Sequence, residues 1–113
     1  MDYHSEPLSQ VFQALADPTR RAVIGRLGQG PASISDLAKP FDMALPSFMK
    51  HIRLLEESGL INTHKQGRIR TCTLEKEPFG KVEAWLADQR ALWEARTDRL
   101  EHFVLTRQSK ETE

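Results

Sequence analysis

The chain has 113 residues, of which 39% are hydrophobic and 28% charged, and its formal net charge is zero. This balance is typical of one globular domain with a buried core and argues against intrinsic disorder. No run approaches the roughly 20 apolar residues of a membrane span, and the first residues lack the basic and apolar parts of a secretory signal. A single cysteine, Cys72, excludes an internal disulfide and a multi-cysteine zinc site. We therefore expect a cytoplasmic protein in which residues 1–113 form one domain.

Charge is distributed unevenly along the chain. Residues 17–74 contain nine Lys or Arg and five Asp or Glu, a net charge of +4, whereas residues 1–16 and 75–113 each carry −2. A basic segment between acidic ends indicates a nucleic-acid-binding surface with a separate surface for assembly.

Two helices are predicted first. Pro7 suits an opening helical turn, and Asp17 can cap a second helix that has Pro18 in its first turn and ends at Gly28. The apolar side of the first helix follows the i, i+3, i+4, i+7 spacing of a buried face. It consists of Leu8, Val11, Phe12 and Leu15.

A short third helix and a longer fourth helix follow. The run 33–36, Ser-Ile-Ser-Asp, is a capping box that predicts the start of the third helix, and Pro40 limits its length. After a tight connection over residues 41–43, the fourth helix is predicted from about Leu45 to Ser58, with Gly59 as its C-terminal stop. Its predicted buried stripe consists of Phe48, Ile52 and Leu55.

The hydrophobic period then changes from helix to strand. Residues 61–65 and 68–74 are rich in β-branched types and are joined through Gln66-Gly67, which predicts a hairpin. A last helix is predicted from Gly80 to about Thr106. The expected fold class is mainly α with a small β-hairpin, five helices plus a two-stranded wing. Its parts are a helix-turn-helix core and wing (7–79), a C-terminal dimerisation helix (80–106) and a flexible tail (107–113).

The third and fourth helices form a helix-turn-helix, and the hairpin forms its wing. A DNA major groove, about 12 Å wide, accepts one α-helix whose exposed side chains meet base edges. Lys50 and Arg53 can donate to phosphates or guanine edges, and Ser47 can donate or accept. Basic residues on a thin hairpin can reach the DNA backbone or minor groove. The predicted DNA-binding residues are Pro46, Ser47, Lys50, His51, Arg53, Lys65, Arg68 and Arg70.

No pattern in the sequence indicates an enzyme. A nucleophile elbow and a glycine-rich phosphate loop are both absent, and the histidines (His4, His51, His64 and His102) are scattered. We therefore predict no cofactor and no metal site. Cys72 is interpreted as a half-buried small residue, and a thiol redox switch is the alternative, although the chain has no resolving cysteine.

The last helix is the candidate for assembly. Its wide apolar stripe contains both tryptophans of the chain and must be covered, which favours an interface. We predict a homodimer made by the first and last helices together. The candidate interface residues are Leu8, Val11, Phe12, Val82, Trp85, Leu86, Gln89, Trp93 and Leu100.

Four runs carry a resemblance to a known family: residues 12–21, 35–43, 45–56 and 58–61. Within them, Leu-Ala-Asp-Pro-Thr-Arg-Arg (15–21) and Lys-His-Ile-Arg-Leu-Leu-Glu (50–56), the latter followed by Gly-Leu (59–60), are specific in combination. Together with the wing and the last helix, the chain resembles the ArsR family of bacterial winged-helix transcriptional regulators over about residues 7–105. The resemblance implies a homodimer that binds an imperfectly palindromic double-stranded operator and usually represses. The expected function is repression of its own or a neighbouring operon, with no membrane partner.

The chain departs from the metal-sensing members of this family. Where arsenic- and zinc-type members have a Cys-x-Cys pair near the third helix, this chain has Ser33 and Ser35, and serine is a poor ligand for thiophilic metals. In the last helix, Asp88 is followed two residues later by Arg90 rather than by histidine. The chain thus resembles the branch without the common Cys metal site. Ala44 also stands where many members have a capping serine. Alanine cannot cap the fourth helix, so the start of this helix is weakened unless Asp42 supplies the acceptor instead.

The sequence also permits two alternative functions. One is a derepressor that senses an effector or a metal through a site not visible in the sequence. The other is a winged-helix module that binds proteins. The operator, the target genes and any small-molecule effector are not defined by the sequence.

Overall fold

The computed structural model describes residues 6–111, with side chains up to Arg107. His4 and the last two residues of the predicted tail lie outside this range. The elements in chain order are α1 (Pro7–Leu15), α2 (Pro18–Leu27), β1 (Ala32–Ser33), α3 (Ile34–Ala38), α4 (Leu45–Glu57), β2 (Ile61–Gln66), β3 (Ile69–Leu74) and α5 (Glu77–Glu111). A short turn joins α3 to α4, and β2 and β3 form a hairpin, so the predicted winged helix-turn-helix is confirmed.

The first three helices begin where the sequence predicts. Pro7 lies in the first turn of α1. The Asp17 carboxylate accepts a hydrogen bond from the Arg20 amide (3.1 Å) at the start of α2, and the Ser33 hydroxyl accepts one from the Asp36 amide (3.1 Å) at the start of α3. These acceptors satisfy N–H groups that have no partner inside the helix.

The two ends of α4 differ in how their backbone groups are satisfied. At its C-terminus the Leu60 amide donates to the Leu55 carbonyl (3.2 Å) and the Gly59 amide to the Glu56 carbonyl (3.0 Å). Gly59 has a φ of +81°, so this end is a Schellman motif, as its glycine predicts. At the N-terminus Ala44 precedes the helix and no side chain caps it. Asp42 therefore does not replace the missing serine.

The wing belongs to a three-stranded sheet rather than to the two-stranded hairpin predicted. The strand order is β1-β3-β2, and β1 pairs antiparallel with β3, with Ala32 opposite Cys72 and Ser33 opposite Thr71. Two residues are too few to show the alternation from which a strand is predicted. Ser33 also caps α3, and its capping signal concealed the strand.

The core joins α1, α2, α3, α4 and the sheet. The predicted stripe of α4 is buried, with Phe48, Ile52 and Leu55 at most 2% exposed. Cys72 is fully buried, beyond the half-burial predicted. The other buried core residues are Val11, Ala14, Val23, Leu27, Ala32, Leu37, Leu60 and Ile61.

The last helix is longer than predicted at both ends. It begins at Glu77 rather than Gly80, because Pro78 fits a first turn instead of a connection. It continues to Glu111 through the first part of the predicted flexible tail, because residues 81–111 contain no Gly or Pro that would end a helix. No helix among residues 6–111 combines the length and the hydropathy of a membrane crossing.

The chain forms two compact units that meet in the sequence at Val82 and Glu83. The first unit contains the core, on which Phe79 and Val82 at the start of α5 also pack. The second unit is the rest of α5. Every side chain described there, from residue 83 to 107, is exposed.

Candidate nucleic-acid interface

The exposed face of α4 carries the polar and basic residues predicted to meet DNA. Ser47, Lys50 and Arg53 recur at three-residue intervals on the side opposite the buried stripe, and all three are exposed. Pro46, in the first turn of the helix, is exposed as well. The amphipathic pattern of α4 therefore fixes which side chains it presents to solvent.

Packing of the turn holds α4 in place. The rings of Phe41 in the turn and Phe48 on α4 are stacked, with centroids 5.7 Å apart and an interplanar angle of 26°. Phe41 and Met43 are partly buried against the core. Such aromatic pairs add to the stabilisation from burial alone, so the turn is an integral part of the packed unit.

The wing presents its basic residues around a tight turn. Gly67 has a φ of +64°, a backbone conformation that favours glycine, and Arg68 follows it in the turn. Lys65 on β2 and Arg70 on β3 are direct partners across the hairpin. Their side chains share the sheet face that carries buried Cys72, because side chains two residues apart on a strand point the same way. Lys65, Arg68 and Arg70 are all exposed.

A groove of about 600 Å³ joins the wing to the helix-turn-helix. Arg68 and Arg70 line one side, Ser33 and Ser35 the α3 side, and Met49 the α4 side. The wing arginines and the two helices therefore contribute to one continuous surface of the first unit.

His51 differs from the other predicted DNA-binding residues because its ring is engaged within the protein. Its side chain is 22% exposed, and Nδ1 lies 3.0 Å from Nη1 of Arg20 and 3.8 Å from a carboxylate oxygen of Asp17. Arginine has only donors, so Nδ1 accepts this hydrogen bond and the neutral ring carries its proton on Nε2.

Arg20 was not among the residues predicted from the sequence. Its Nε donates to the Ala14 carbonyl (2.8 Å) and its Nη2 to the Gln13 carbonyl (3.0 Å), at the C-terminal end of α1. The only sequence signal for it lies in the run 15–21, which carries the family resemblance. Partial desolvation acts to raise the pKa of Asp17, but the pKa is lowered overall, chiefly by the backbone amide and the charge of Arg20.

The residues predicted for a dimer interface are distributed over both units. Val11 is buried in the core, so its side chain has no exposed surface for a partner to contact. Leu8 and Val82 are partly buried, and Phe12 is exposed on α1. The others are exposed on α5, in the second unit: Trp85, Leu86, Gln89, Trp93 and Leu100.

The positions aligned with the Cys-x-Cys pair of metal-sensing members do not fit a thiophilic metal. Ser33 uses its hydroxyl to cap α3, and Ser35 is exposed. Within the described part of the chain, no three His, Cys, Asp or Glu side chains are grouped so that they could hold a metal ion.

Comparison with known proteins places this architecture in a family. A helix-turn-helix domain model matches residues 15–64, which span α2 to the wing. The crystal structure of an ArsR family transcriptional regulator is 74% identical, covers 79% of this chain and 98% of its own, and superposes with a TM-score of 0.77. The chain belongs to the ArsR family of transcriptional regulators.

Curated relatives agree with this assignment. The regulator is 33% identical over 61 residues to the transcriptional repressor SdpR of Bacillus subtilis, an alignment that covers 54% of the chain and 68% of SdpR. It is 38% identical over 60 residues to the arsenical resistance operon repressor of Escherichia coli, covering 52% and 51%. These proteins are transcriptional regulators, not enzymes, and the protein described here is a regulator that binds double-stranded DNA.

Proposed function

We propose that this regulator is a homodimeric repressor that inserts α4 into the DNA major groove and places its wing on the adjacent backbone. The observation that carries the proposal is the division of α4 into two faces. Phe48, Ile52 and Leu55 are buried, while Ser47, Lys50 and Arg53 are exposed. A helix anchored on one side and polar on the other suits a major-groove reader.

The basic residues divide into two roles in this proposal. Lys50 and Arg53 on α4 lie where a helix in the groove reaches base edges and flanking phosphates. Lys65, Arg68 and Arg70 on the wing supply charge to the backbone, and this kind of contact gives affinity without sequence discrimination. We therefore assign specificity to α4 and most of the salt dependence to the wing.

Exposed apolar side chains of the second unit support dimerisation. Leu86, Trp93 and Leu100 recur at seven-residue intervals on one side of α5, and their exposed fractions are 48%, 68% and 64%. A large exposed apolar surface marks an interaction site. We assign it to a second copy of the chain, because an operator with two half-sites requires two recognition helices related by a two-fold axis.

Repression is carried over from the relatives. SdpR and the Escherichia coli protein are both named repressors. A dimer bound across a promoter occludes it without further chemistry, and the half-sites are expected about one helical turn apart, roughly 10 base pairs.

Fluorescence anisotropy tests the DNA-binding part of the proposal. The protein is titrated into a labelled duplex from the region upstream of its own gene, at several salt concentrations and with competitor DNA. We expect competitor-resistant binding with a steep salt dependence. Binding that competitor abolishes, together with no enriched sequence in a selection from random DNA, would contradict the proposal.

A pair of double variants assigns the binding to α4. Lys50→Ala/Arg53→Ala should weaken operator binding strongly and lower the ratio of operator to non-specific affinity. Lys76→Ala/Lys81→Ala removes the same charge from exposed positions outside the interface and is the matched control. Equal effects of the two double variants would show that α4 is not the reading helix.

Analytical ultracentrifugation tests the dimer. Trp93→Glu places a charge within the apolar side of α5 and should yield monomers. Ala95→Glu adds the same charge on the opposite side of the same helix and should leave the dimer intact. A dimer that survives Trp93→Glu would remove α5 from the proposed interface.

A further inference from the structure

Arg20 connects three helices through one guanidinium group. Its Nε and Nη2 donate to the carbonyls of Ala14 and Gln13 at the end of α1 (2.8 and 3.0 Å). Its Nη1 donates to Nδ1 of His51 on α4 (3.0 Å). Arg20 itself lies in the first turn of α2, where its backbone amide donates to the cap residue Asp17. All of these groups belong to the first unit.

We propose that Arg20 is a positioning residue for sequence-specific DNA binding, which holds α4 through His51 at a fixed orientation relative to α1 and α2. The inference rests on the proposed role of α4 as the reading helix. In this arrangement His51 acts mainly as the attachment point of α4, since the Nδ1 side of its ring faces Arg20 and Asp17 and the side chain is largely covered.

The chemistry of the contact requires a guanidinium on one side and an acceptor on the other. A guanidinium is planar and donates in several fixed directions at once, whereas a lysine ammonium is a compact point charge on a flexible stem. The donors of Arg20 reach two carbonyls and one imidazole nitrogen. Lysine keeps the charge but cannot reproduce that geometry. On the His51 side, the contact requires an acceptor at the position of Nδ1.

Orientation of α4 matters for specific binding and not for non-specific binding. Hydrogen bonds to base edges need their donors and acceptors in register, so a small rotation of the helix removes them. Binding to phosphates depends on the number of cations near the DNA, which a rotation leaves unchanged. A positioning residue therefore affects the ratio of specific to non-specific affinity.

The test measures operator and non-specific affinity for Arg20→Lys, His51→Leu and His51→Asn by anisotropy at several salt concentrations. Arg20→Lys and His51→Leu should each lower operator affinity by about tenfold, in line with the loss of one hydrogen bond to a charged group. Non-specific affinity and the salt slope should not change. His51→Asn places an amide oxygen near the position of Nδ1 and should restore much of the operator affinity.

Arg21→Lys is the matched control. Arg21 is adjacent on α2 and donates to the Leu15 carbonyl (2.8 Å), so it contacts the end of α1 without any contact to α4 among the hydrogen bonds described. We expect operator affinity within about twofold of the original protein. Thermal unfolding of each variant shows whether its folded population equals that of the original protein. If Arg20→Lys folds poorly, His51→Leu still tests the proposal, because it leaves both Arg20 contacts to α1 in place.

A double variant distinguishes positioning from direct contact. If Arg20 acts through His51, Arg20→Lys/His51→Leu loses no more affinity than either single variant. Additive losses, or no recovery with His51→Asn, would overturn the proposal, since they indicate separate contacts with DNA. Failure of the proposed function would give a different result, because Lys50→Ala/Arg53→Ala would then also bind the operator normally.

Discussion

Lys65 and Arg70 are direct cross-strand partners on one face of the wing hairpin. Both side chains are exposed, and no ion pair is found for either one among the residues that the structure describes. Like charges directly opposite each other in an antiparallel pair destabilise it. The wing thus retains a repulsive pair at the place where the proposed function requires charge, and in the proposed complex the anionic DNA backbone would relieve that repulsion.

Arg70→Thr should therefore change stability and DNA affinity in opposite directions. Removing one charge of the pair is expected to raise the free energy of unfolding by roughly 0.2–1 kcal/mol. The same substitution should weaken operator and non-specific binding alike and lower the salt slope by about one. Urea unfolding and salt-dependent anisotropy measure the two effects.

Gln66→Thr is the control for this prediction. Gln66 is the neighbour of Lys65 on β2, pairs with Ile69 on the other face of the hairpin, and carries no charge. It reports any gain from threonine's preference for strands. If it stabilises the protein as much as Arg70→Thr does, charge repulsion is not the reason for the gain.

The sequence predicted the features of this fold that depend on local chemistry. Asp17 and Ser33 have the acceptor that a helix start needs, Gly59 has the freedom that a Schellman motif needs, and Phe48, Ile52 and Leu55 have the spacing of a buried face. Each of these signals is contained within a few neighbouring residues. The exposed residues of α4 followed from the same periodicity.

Two of the features that were not predicted depend on distant parts of the chain. The strand β1 exists because Ala32 and Ser33 meet Cys72 and Thr71, some 40 residues later. The contact between Arg20 and His51 spans 31 positions and joins two helices whose own patterns give no sign of it. The sequence places His51 with the DNA-binding residues on α4 and gives no sign that Arg20 engages its ring.

The uncapped start of α4 offers a gain in stability. Ala44 supplies no side-chain acceptor, and because Pro46 has no N–H, the Ser47 amide is the group that a cap would serve. Ala44→Ser should therefore raise the free energy of unfolding by about 1 kcal/mol. Ser33→Ala removes the existing cap of α3 and should lower it by about the same amount. Chemical denaturation checks both, and an unchanged value for Ala44→Ser would show that the Ser47 amide is already satisfied.

Asp17 should contribute a stability that depends on pH. Its pKa is lowered in the folded protein, so the ionised form is favoured by folding. This contribution is present above the ordinary pKa of about 4 and is lost as the pH falls through the lower pKa of the folded state. Asp17→Asn keeps a capping oxygen without the charge, so it should be less stable than the original protein at pH 7 and should approach it in acid. Urea unfolding at pH 7 and pH 3 measures the difference, and a constant difference at both values would contradict the prediction.

Burial of Cys72 should make its thiol slow to react. Desolvation is the main cause that raises the pKa of the thiol, the charge of Glu56 adds to it, and Arg70 acts in the opposite direction. Since the thiolate is the reactive form, labelling by a disulfide reagent at pH 7.5 should occur only through transient opening and be much slower than in urea. Because the pKa of the thiol is higher in the folded than in the unfolded protein, the protonated thiol contributes stability below the ordinary pKa of about 8.5. This contribution is lost as the pH rises through the pKa of the folded state. Cys72→Ala should remove that alkaline loss, whereas rapid labelling of the native protein would reopen a redox role for this residue.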